Sequence, residues 1–344
     1  MRSRLRPPDI ETDPFRERLA PVSRVRLHLL GGRFEFECQS ARLRRLVDWA
    51  YAGLPAHRLP GSGALFRIRL ALAPRRGGTP RRLDAPRINM LSGAGLLCGA
   101  TSDSDFAVVA PEERSALVTL SPRLLRFPYH ARYELIEFAV FTLAARAQRL
   151  MPLHAACVGQ GGRGLLLMGE SGAGKSTTAL HCLLHGLEFV TEDSAFVTAD
   201  TLLATGVPNF LHVRRDVLRF VPEANVAMIR ESPLIRRRSG VQKFEIDLRA
   251  TGFRLAKMPL KVTALVFASA QAARNGVLLE DLASDEALLK LTACQPYAAA
   301  QAGWTTFVKG VAKVPAFEMR RGRHPAEAAT ALRRLLADAA RVAH

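Results

Sequence analysis

The chain has 344 residues, 48% of them hydrophobic, enough for about two domains with sizeable cores. Its formal charge of +18 comes from 42 arginines and only 7 lysines, none of them before Lys175, a skew that reads as codon bias rather than as a surface selected to track phosphates. No aromatic-interleaved basic stripe accompanies the charge, no apolar run reaches the ~18–20 residues of a membrane span, and the five cysteines show no C-x-x-C spacing, so nucleic-acid binding, membrane insertion, a zinc site and a disulfide framework are not expected.

Residues 1–23 carry four prolines and read as an irregular segment. Seven arginines lie between Met1 and Arg26 with no apolar stretch of the secretory kind, so the cytoplasm is the expected location. A small α+β domain is predicted over 24–128. Val25 to Cys38 alternates around Gly31-Gly32 as a hairpin, and Ala41 to Ala52 places Leu43, Leu46, Val47 and Ala50 on one helical face. Leu65 to Leu72 alternates as a strand, 74–87 reads as a Pro/Arg/Gly loop, and further strands are expected near 88–98, 105–110 and 115–120. Nothing in this part forms a catalytic constellation.

The second predicted domain covers 129–344. Tyr129 to Leu150 is a long helix leading into it, followed by a short strand at 153–158 and a glycine-rich turn. After the central helix, Gly186 suits a C-terminal cap, and Leu187 to Val190 is a strand ending on Thr191-Glu192-Asp193. Residues 222–240, with Arg236-Arg237-Arg238, read as a mobile, solvated basic loop. Leu260 to Phe267 is a strongly apolar central strand, 314–319 a last strand, and Pro325 to Val342 a closing amphipathic helix.

The most specific stretch is Leu165-Leu-Leu-Met-Gly-Glu-Ser-Gly-Ala-Gly-Lys-Ser176, which completes the phosphate-loop pattern G-x-x-x-x-G-K-[ST] between an apolar strand and a helix. Glycines at such positions let successive backbone N–H groups turn inward on a polyphosphate, and the helix that follows points its positive end at the same anion. Gly169, Glu170, Ser171, Gly172, Ala173, Gly174, Lys175, Ser176 and Thr177 are therefore the candidate nucleotide-binding residues. Lys175 is placed to bridge the outer phosphates, and Ser176 to ligate Mg²⁺. The run from Val262 to Ala268 ends without a carboxylate, which leaves Glu192 and Asp193 as the best acidic candidates. A strand adjoining the phosphate-loop strand would bring them to its edge.

Together these features resemble the HPr kinase/phosphorylase family and its broader serine-kinase relatives, whose nucleotide domain is related to phosphoenolpyruvate carboxykinase. That family has a histidine fifteen residues before the first loop glycine, and His154 stands fifteen before Gly169. The family pattern continues G-K-S-x-T-A-L, a short helix, Gly, and then Val before an acidic pair. Here Gly174 to Leu180, Gly186, Val190 and Glu192-Asp193 follow it without a gap. The resemblance covers about 150–340, is specific at 152–195, and does not extend to the N-terminal part.

The resemblance implies an α/β nucleotide domain of the phosphoenolpyruvate-carboxykinase/HPr-kinase kind behind the smaller α+β domain. It also implies an ATP- and Mg²⁺-dependent kinase acting on a Ser or Thr hydroxyl of a protein or peptide, and the family's common oligomeric state implies a homo-oligomer. Glu192 takes the place of the family's base, Asp193 that of the acid close to the metal, and His154 sits behind the pair. Glutamate stands at Glu192 where the family has aspartate, which lengthens the arm by a methylene. Lys243, a rare lysine before a strand, is the candidate cation facing the transferred phosphate, with Arg214 behind it. Two alternatives stay open: a kinase of a small-molecule hydroxyl, such as an amino acid or a sugar, and a non-catalytic nucleotide-binding or scaffold protein.

Overall fold

The computed structural model describes residues 22–61, 63–73, 87–102 and 104–341. The segment 1–21 and most of the predicted 74–87 loop lie outside the described residues. Among the described residues the architecture is mixed α/β, with three sheets.

The first sheet holds β1 (Ser23–Leu29), β2 (Gly32–Cys38), β3 (Leu65–Leu72), β4 (Asn89–Gly93), β5 (Leu96–Ser102), β6 (Asp105–Ala110) and β7 (Ser115–Leu120) in the order β1-β2-β3-β7-β6-β5-β4. The parallel pairing of β2 with β3 needs a crossover, and the helix Ala41–Tyr51 supplies it, capped by the Ser40 hydroxyl accepting from the Leu43 amide at 3.3 Å. The helical run 128–147 includes two π-type stretches, Ala131–Ile136 and Leu143–Ala147. Its fully buried Leu135, Ile136, Ala139, Val140 and Leu143 pack in one core with Phe34, Phe36, Phe66 and Ile68 of the first sheet. The helix expected to open the second part thus buries its apolar face on the first.

The second sheet contains β8 (Met151–Leu153), β9 (Ala156–Gln160), β10 (Arg163–Met168), β11 (Glu188–Thr191), β12 (Ala195–Val197) and β13 (Leu203–Thr205). A separate three-stranded sheet follows from β14 (Phe210–Val213), β15 (Leu234–Arg236) and β16 (Gln242–Asp247). Then β17 (Leu260–Ala272), β18 (Leu279–Leu282) and β19 (Ala316–Arg321) complete the second sheet. Its path is β11-β9-β10-β17-β13-β12-β8, with β19 also paired to the long β17 and β18 to β19. Along β10, Leu165 and Leu167 face one core while Leu166 and Met168 face the other. That burial on both faces is why the strand reads as an unbroken apolar run.

Two expectations are corrected here. The segment 222–240 is not a loop: it forms the helix Glu223–Glu231, which buries Val226 and Ile229, and then β15. β11 does not adjoin the phosphate-loop strand either, because β9 lies between them, paired antiparallel to both. Two antiparallel steps make β10 and β11 parallel, so both end at the same sheet edge. β9 starts at that edge, and Phe267 of the parallel β17 pairs with Met168 there.

Contacts also tie the first part to the second. The C-terminal carbonyls of the helix Ala41–Tyr51 and its cap are taken by the second part: Asn209 Nδ2 donates to Ala50 O at 3.0 Å, and Arg249 to Trp49 O at 2.7 Å and Ala52 O at 3.0 Å. His57 bonds Thr205 Oγ1 and the Ala256 carbonyl, both at 2.8 Å. Burial lowers its pKa and so favours the neutral ring. Of the five cysteines, Cys38, Cys157 and Cys182 are buried and all five are free thiols. Among the described residues, no helix is long and apolar enough to cross a membrane.

Candidate functional site

The loop after β10 turns through left-handed backbone at Gly172 (φ 87°) and Gly174 (φ 101°), conformations that a side chain would strain. Gly174 is the N-cap of the helix Lys175–Leu184 and supplies no side-chain cap, so the first amides of the helix face the loop. The helix closes in a Schellman motif, with the Gly186 amide donating to Leu183 O at 2.9 Å and the Leu187 amide to Cys182 O at 3.0 Å. The expected cap at Gly186 is therefore present, and it returns the chain into β11. A register shift between Phe189 and Thr191 then re-aims the strand end that carries the acids. Gly206 makes that approach feasible: a Cβ there would sit 2.6 Å from the Thr191 Cβ and 2.7 Å from the Val190 carbonyl oxygen.

Together these elements line one cleft of about 630 Å³. Glu170, Ser171, Gly172, Ala173, Gly174, Lys175, Ser176 and Thr177 line it, with His154, Asp193, His212, Arg214, Arg237 and Lys243 across from them. Gly169, just before these loop residues, packs close against the Ala268 carbonyl. Lys175 Nζ donates to the carbonyls of Gly169 at 2.7 Å and Glu170 at 3.2 Å, which fixes the ammonium over the loop. Burial lowers its pKa, against the upward pull of Asp193 and Glu192.

The two acids occupy different environments. Glu192 is buried, and its Oε1 accepts from the Ser176 hydroxyl at 2.7 Å. Its Oε2 accepts from both the His212 amide and His212 Nδ1, each at 2.8 Å, and Lys243 Nζ stands 3.8 Å from Oε1. Burial pushes this carboxyl up, but His212, Lys243 and the Ser176 hydroxyl outweigh it and hold the pKa at about 2. Asp193 is half-buried at the cleft wall, where Oδ1 meets His154 Nδ1 at 3.1 Å and Oδ2 lies 3.8 Å from Arg237 Nη1.

His154 sits at the break between β8 and β9. The Gln295 side chain brackets its backbone, with Oε1 accepting from the His154 amide at 2.7 Å and Nε2 donating to its carbonyl at 3.1 Å. Buried Gln295 thus acts as a one-residue strand partner that sets where the imidazole leaves the sheet edge.

Behind Glu192 runs a buried chain of alternating charge. His212 Nε2 meets Glu245 Oε1 at 3.2 Å, Arg132 bonds Glu245, and Arg132 Nη1 bonds Glu137 Oε1 at 2.9 Å. The Arg132 guanidinium is 1% exposed and lies 4.2 Å from the Phe210 ring and 4.5 Å from the Trp49 ring. Those π faces compensate a cation whose Nε has no hydrogen-bond partner. Both His212 nitrogens face carboxylates, which favours the doubly protonated ring. Burial opposes the charge, but Glu192 and Glu245 outweigh it and raise the pKa of the imidazole.

This coupling has a pH signature. The folded Glu192 carboxyl titrates near 2, against an ordinary value of 4.5, so its contribution to stability is complete above about 4.5 and is lost as pH falls toward 2. The His212 contribution is complete below about 6.5 and is lost as pH rises through its elevated folded value. The difference in thermal midpoint between the wild type and His212→Asn is therefore expected to be largest between about pH 4.5 and 6.5, shrinking on either side. A difference independent of pH would contradict the paired charges.

The structure thus brings His154, Lys175, Ser176, Asp193 and Lys243 to one cleft, with Glu192 buried behind Ser176. Sequence reasoning missed His212 as a partner of Glu192, and it missed Arg132, Glu137, Glu245, Gln295 and the place of Arg237. One signal was available: His212 between Leu211 and Val213, and Glu245 between Phe244 and Ile246, are ionisable residues centred in apolar strands, and the two pair directly across β14 and β16.

No protein-family model matches the chain, and no curated protein matches it. Among solved structures it is similar to that of the Hpr(Ser) kinase/phosphatase from Coxiella burnetii, at 13% identity over 56% of this chain and 90% of that chain, with a TM-score of 0.27. So distant a likeness carries no functional argument, and the chemistry rests on the site's own geometry.

Proposed function

We propose that this protein is a kinase that transfers the γ-phosphoryl group of Mg²⁺-bound ATP to a Ser or Thr hydroxyl of a protein or peptide, in an α/β nucleotide domain of the HPr-kinase kind spanning about 129–344. The observation that carries the reading is the meeting, at one cleft, of a phosphate loop with its Lys and Ser, a buried carboxylate bonded to that Ser, and a second carboxylate 3.1 Å from a histidine nitrogen. The left-handed glycines and the uncapped helix N-terminus suit a polyphosphate. A hydroxyl beside a carboxylate is an oxygen donor set that suits Mg²⁺, which keeps several waters and phosphate oxygens as its other ligands.

When bound, the nucleotide and its cation supply the transferable phosphoryl group. Lys175 and the loop amides neutralise charge on the outer phosphates, and Lys243 faces the migrating group. The geometry favours exchanging the roles that the resemblance gives the two acids. Glu192, fully bonded and held at about 2, is a weak proton acceptor near neutral pH, and with Ser176 it suits the metal side. Asp193, open to the cleft and oriented by His154, accepts the acceptor hydroxyl's proton as its oxygen bonds to phosphorus and the bridging oxygen departs with ADP.

The test is incubation with Mg²⁺ and γ-labelled ATP in a lysate of the protein's own host. Label on a Ser or Thr hydroxyl is expected, reduced by about 10²–10⁴-fold in Asp193→Asn while nucleotide binding persists. Label confined to small metabolites would refute the protein or peptide acceptor. Full transfer by Asp193→Asn would refute its role as base.

A further inference from the structure

Two cations, Lys243 and Arg237, crowd the acceptor side of the cleft without adequate partners, beside a third, Arg214, that is paired with Asp216 at 3.1 Å. Lys243 is mostly buried, and its ion-pair partner, Glu192, lies 3.8 Å from Nζ, beyond hydrogen-bond reach. Arg237 ends 3.8 Å from Asp193, and its Nε and Nη2 are buried with no hydrogen-bond partner. Arg214 lines the same wall, and both arginines stand close enough to Lys243 to disfavour its charge.

Arg237 is not a drifting surface arginine. Its amide donates to Val241 O at 2.9 Å and its carbonyl accepts from the Gly240 amide at 2.9 Å, closing the turn between β15 and β16. The next residue, Arg238, bonds both carboxylate oxygens of Glu134 on the helical run 128–147 and ties the turn down. Buried Arg132 spends both terminal nitrogens on carboxylates and leaves only Nε unpartnered, whereas Arg237 leaves Nε and a terminal nitrogen unspent.

The phosphate loop meets Glu192 through the Ser176 hydroxyl. Arg237 stands instead beside Asp193, which orients the attacking hydroxyl in the phosphotransfer reading, and the inference rests on that reading. We propose that Arg237, supported by Lys243 and Arg214, forms a subsite for an oxyanion, a carboxylate or a phosphate, that the acceptor carries next to its reactive hydroxyl. The enzyme would then select acidic or already phosphorylated acceptors, and Lys243 would face both this anion and the migrating phosphoryl group.

The test separates this subsite from the nucleotide site. Protein saturated with Mg²⁺ and a non-hydrolysable ATP analogue, so that the loop is filled, is titrated calorimetrically with inorganic phosphate. One further phosphate is expected to bind, about tenfold or more weakly in Arg237→Gln, with affinity for the analogue unchanged. Arg237→Lys, which keeps the charge, is expected to retain part of the phosphate affinity and serves as the control for folding. Displacement of the phosphate by acetate would indicate a carboxylate-bearing acceptor, and resistance to it a phosphorylated one. The proposal is overturned if the loaded wild type binds no phosphate, or if Arg237→Gln binds it normally. It is also overturned if that variant loses the analogue in parallel, which would assign Arg237 to the nucleotide. Failure of the wild type to bind the analogue at all would strike the phosphate-loop reading itself, and the subsite with it.

Discussion

Lys175→Ala is expected to lower phosphoryl transfer by about 10²–10³-fold and to weaken ATP binding, with the fold intact. Lys175 is 8% exposed, and its ammonium is fixed over the loop by the Gly169 and Glu170 carbonyls, so it is already held where the outer phosphates would lie. Alanine removes the cation but leaves those two carbonyls facing the cleft, where water can reach them. The cost in stability is therefore only about 1 kcal/mol. Calorimetric ATP binding and labelled transfer, run beside a denaturant titration, separate the two effects. Transfer at the wild-type rate would remove Lys175 from the chemistry.

Arg132→Met is expected to be the most destabilising single change, at about 3–5 kcal/mol, because it strands two buried carboxylates. Glu137 and Glu245 are 5% and 1% exposed, and Arg132 is the cation that joins them. Burial already raises the pKa of Glu137 against the pull of Arg132, so loss of the cation pushes this carboxyl further up. Replacing all three, Arg132→Met with Glu137→Gln and Glu245→Gln, is expected to recover much of the loss, since buried ion pairs are costly to break and cheap to replace. Guanidinium chloride midpoints measure both variants. A loss below about 1 kcal/mol in Arg132→Met would show that the cluster is not the coupled unit its geometry implies. Because Glu245 also holds His212, and His212 holds Glu192, the single change should reach the site from the helical run that packs on the first sheet.

The local signals in the sequence survive at the phosphate loop because they are dictated by backbone. Gly172, Gly174 and Gly186 adopt left-handed conformations, and the apolar run 165–168 is buried on both faces. The mixed α/β class follows from the same alternation of strands and helices. What was not legible is what depends on sheet order. β9 fills the slot beside the phosphate-loop strand, so Glu192 and Asp193 arrive from two strands away. Spacing along the chain does not encode that. The partners of the acids come from still farther off: His212 lies 20 residues past Glu192, Glu245 lies 33 past His212, and Arg132 lies 113 before Glu245. Arg237 was hidden differently. Inside Arg236-Arg237-Arg238 it is indistinguishable by composition, and only the turn geometry sends Arg238 to Glu134 and Arg237 to the cleft.

The most direct test of the central claim is a crystal structure with Mg²⁺ and a non-hydrolysable ATP analogue. The triphosphate is expected along residues 169–176, with Lys175 transferred from the Gly169 carbonyl to phosphate oxygen, Ser176 and Glu192 at the metal, and Asp193 facing the γ-phosphoryl group from the acceptor side. An analogue bound elsewhere, or a metal held by Asp193 with Glu192 turned to the acceptor, would contradict this account of the site.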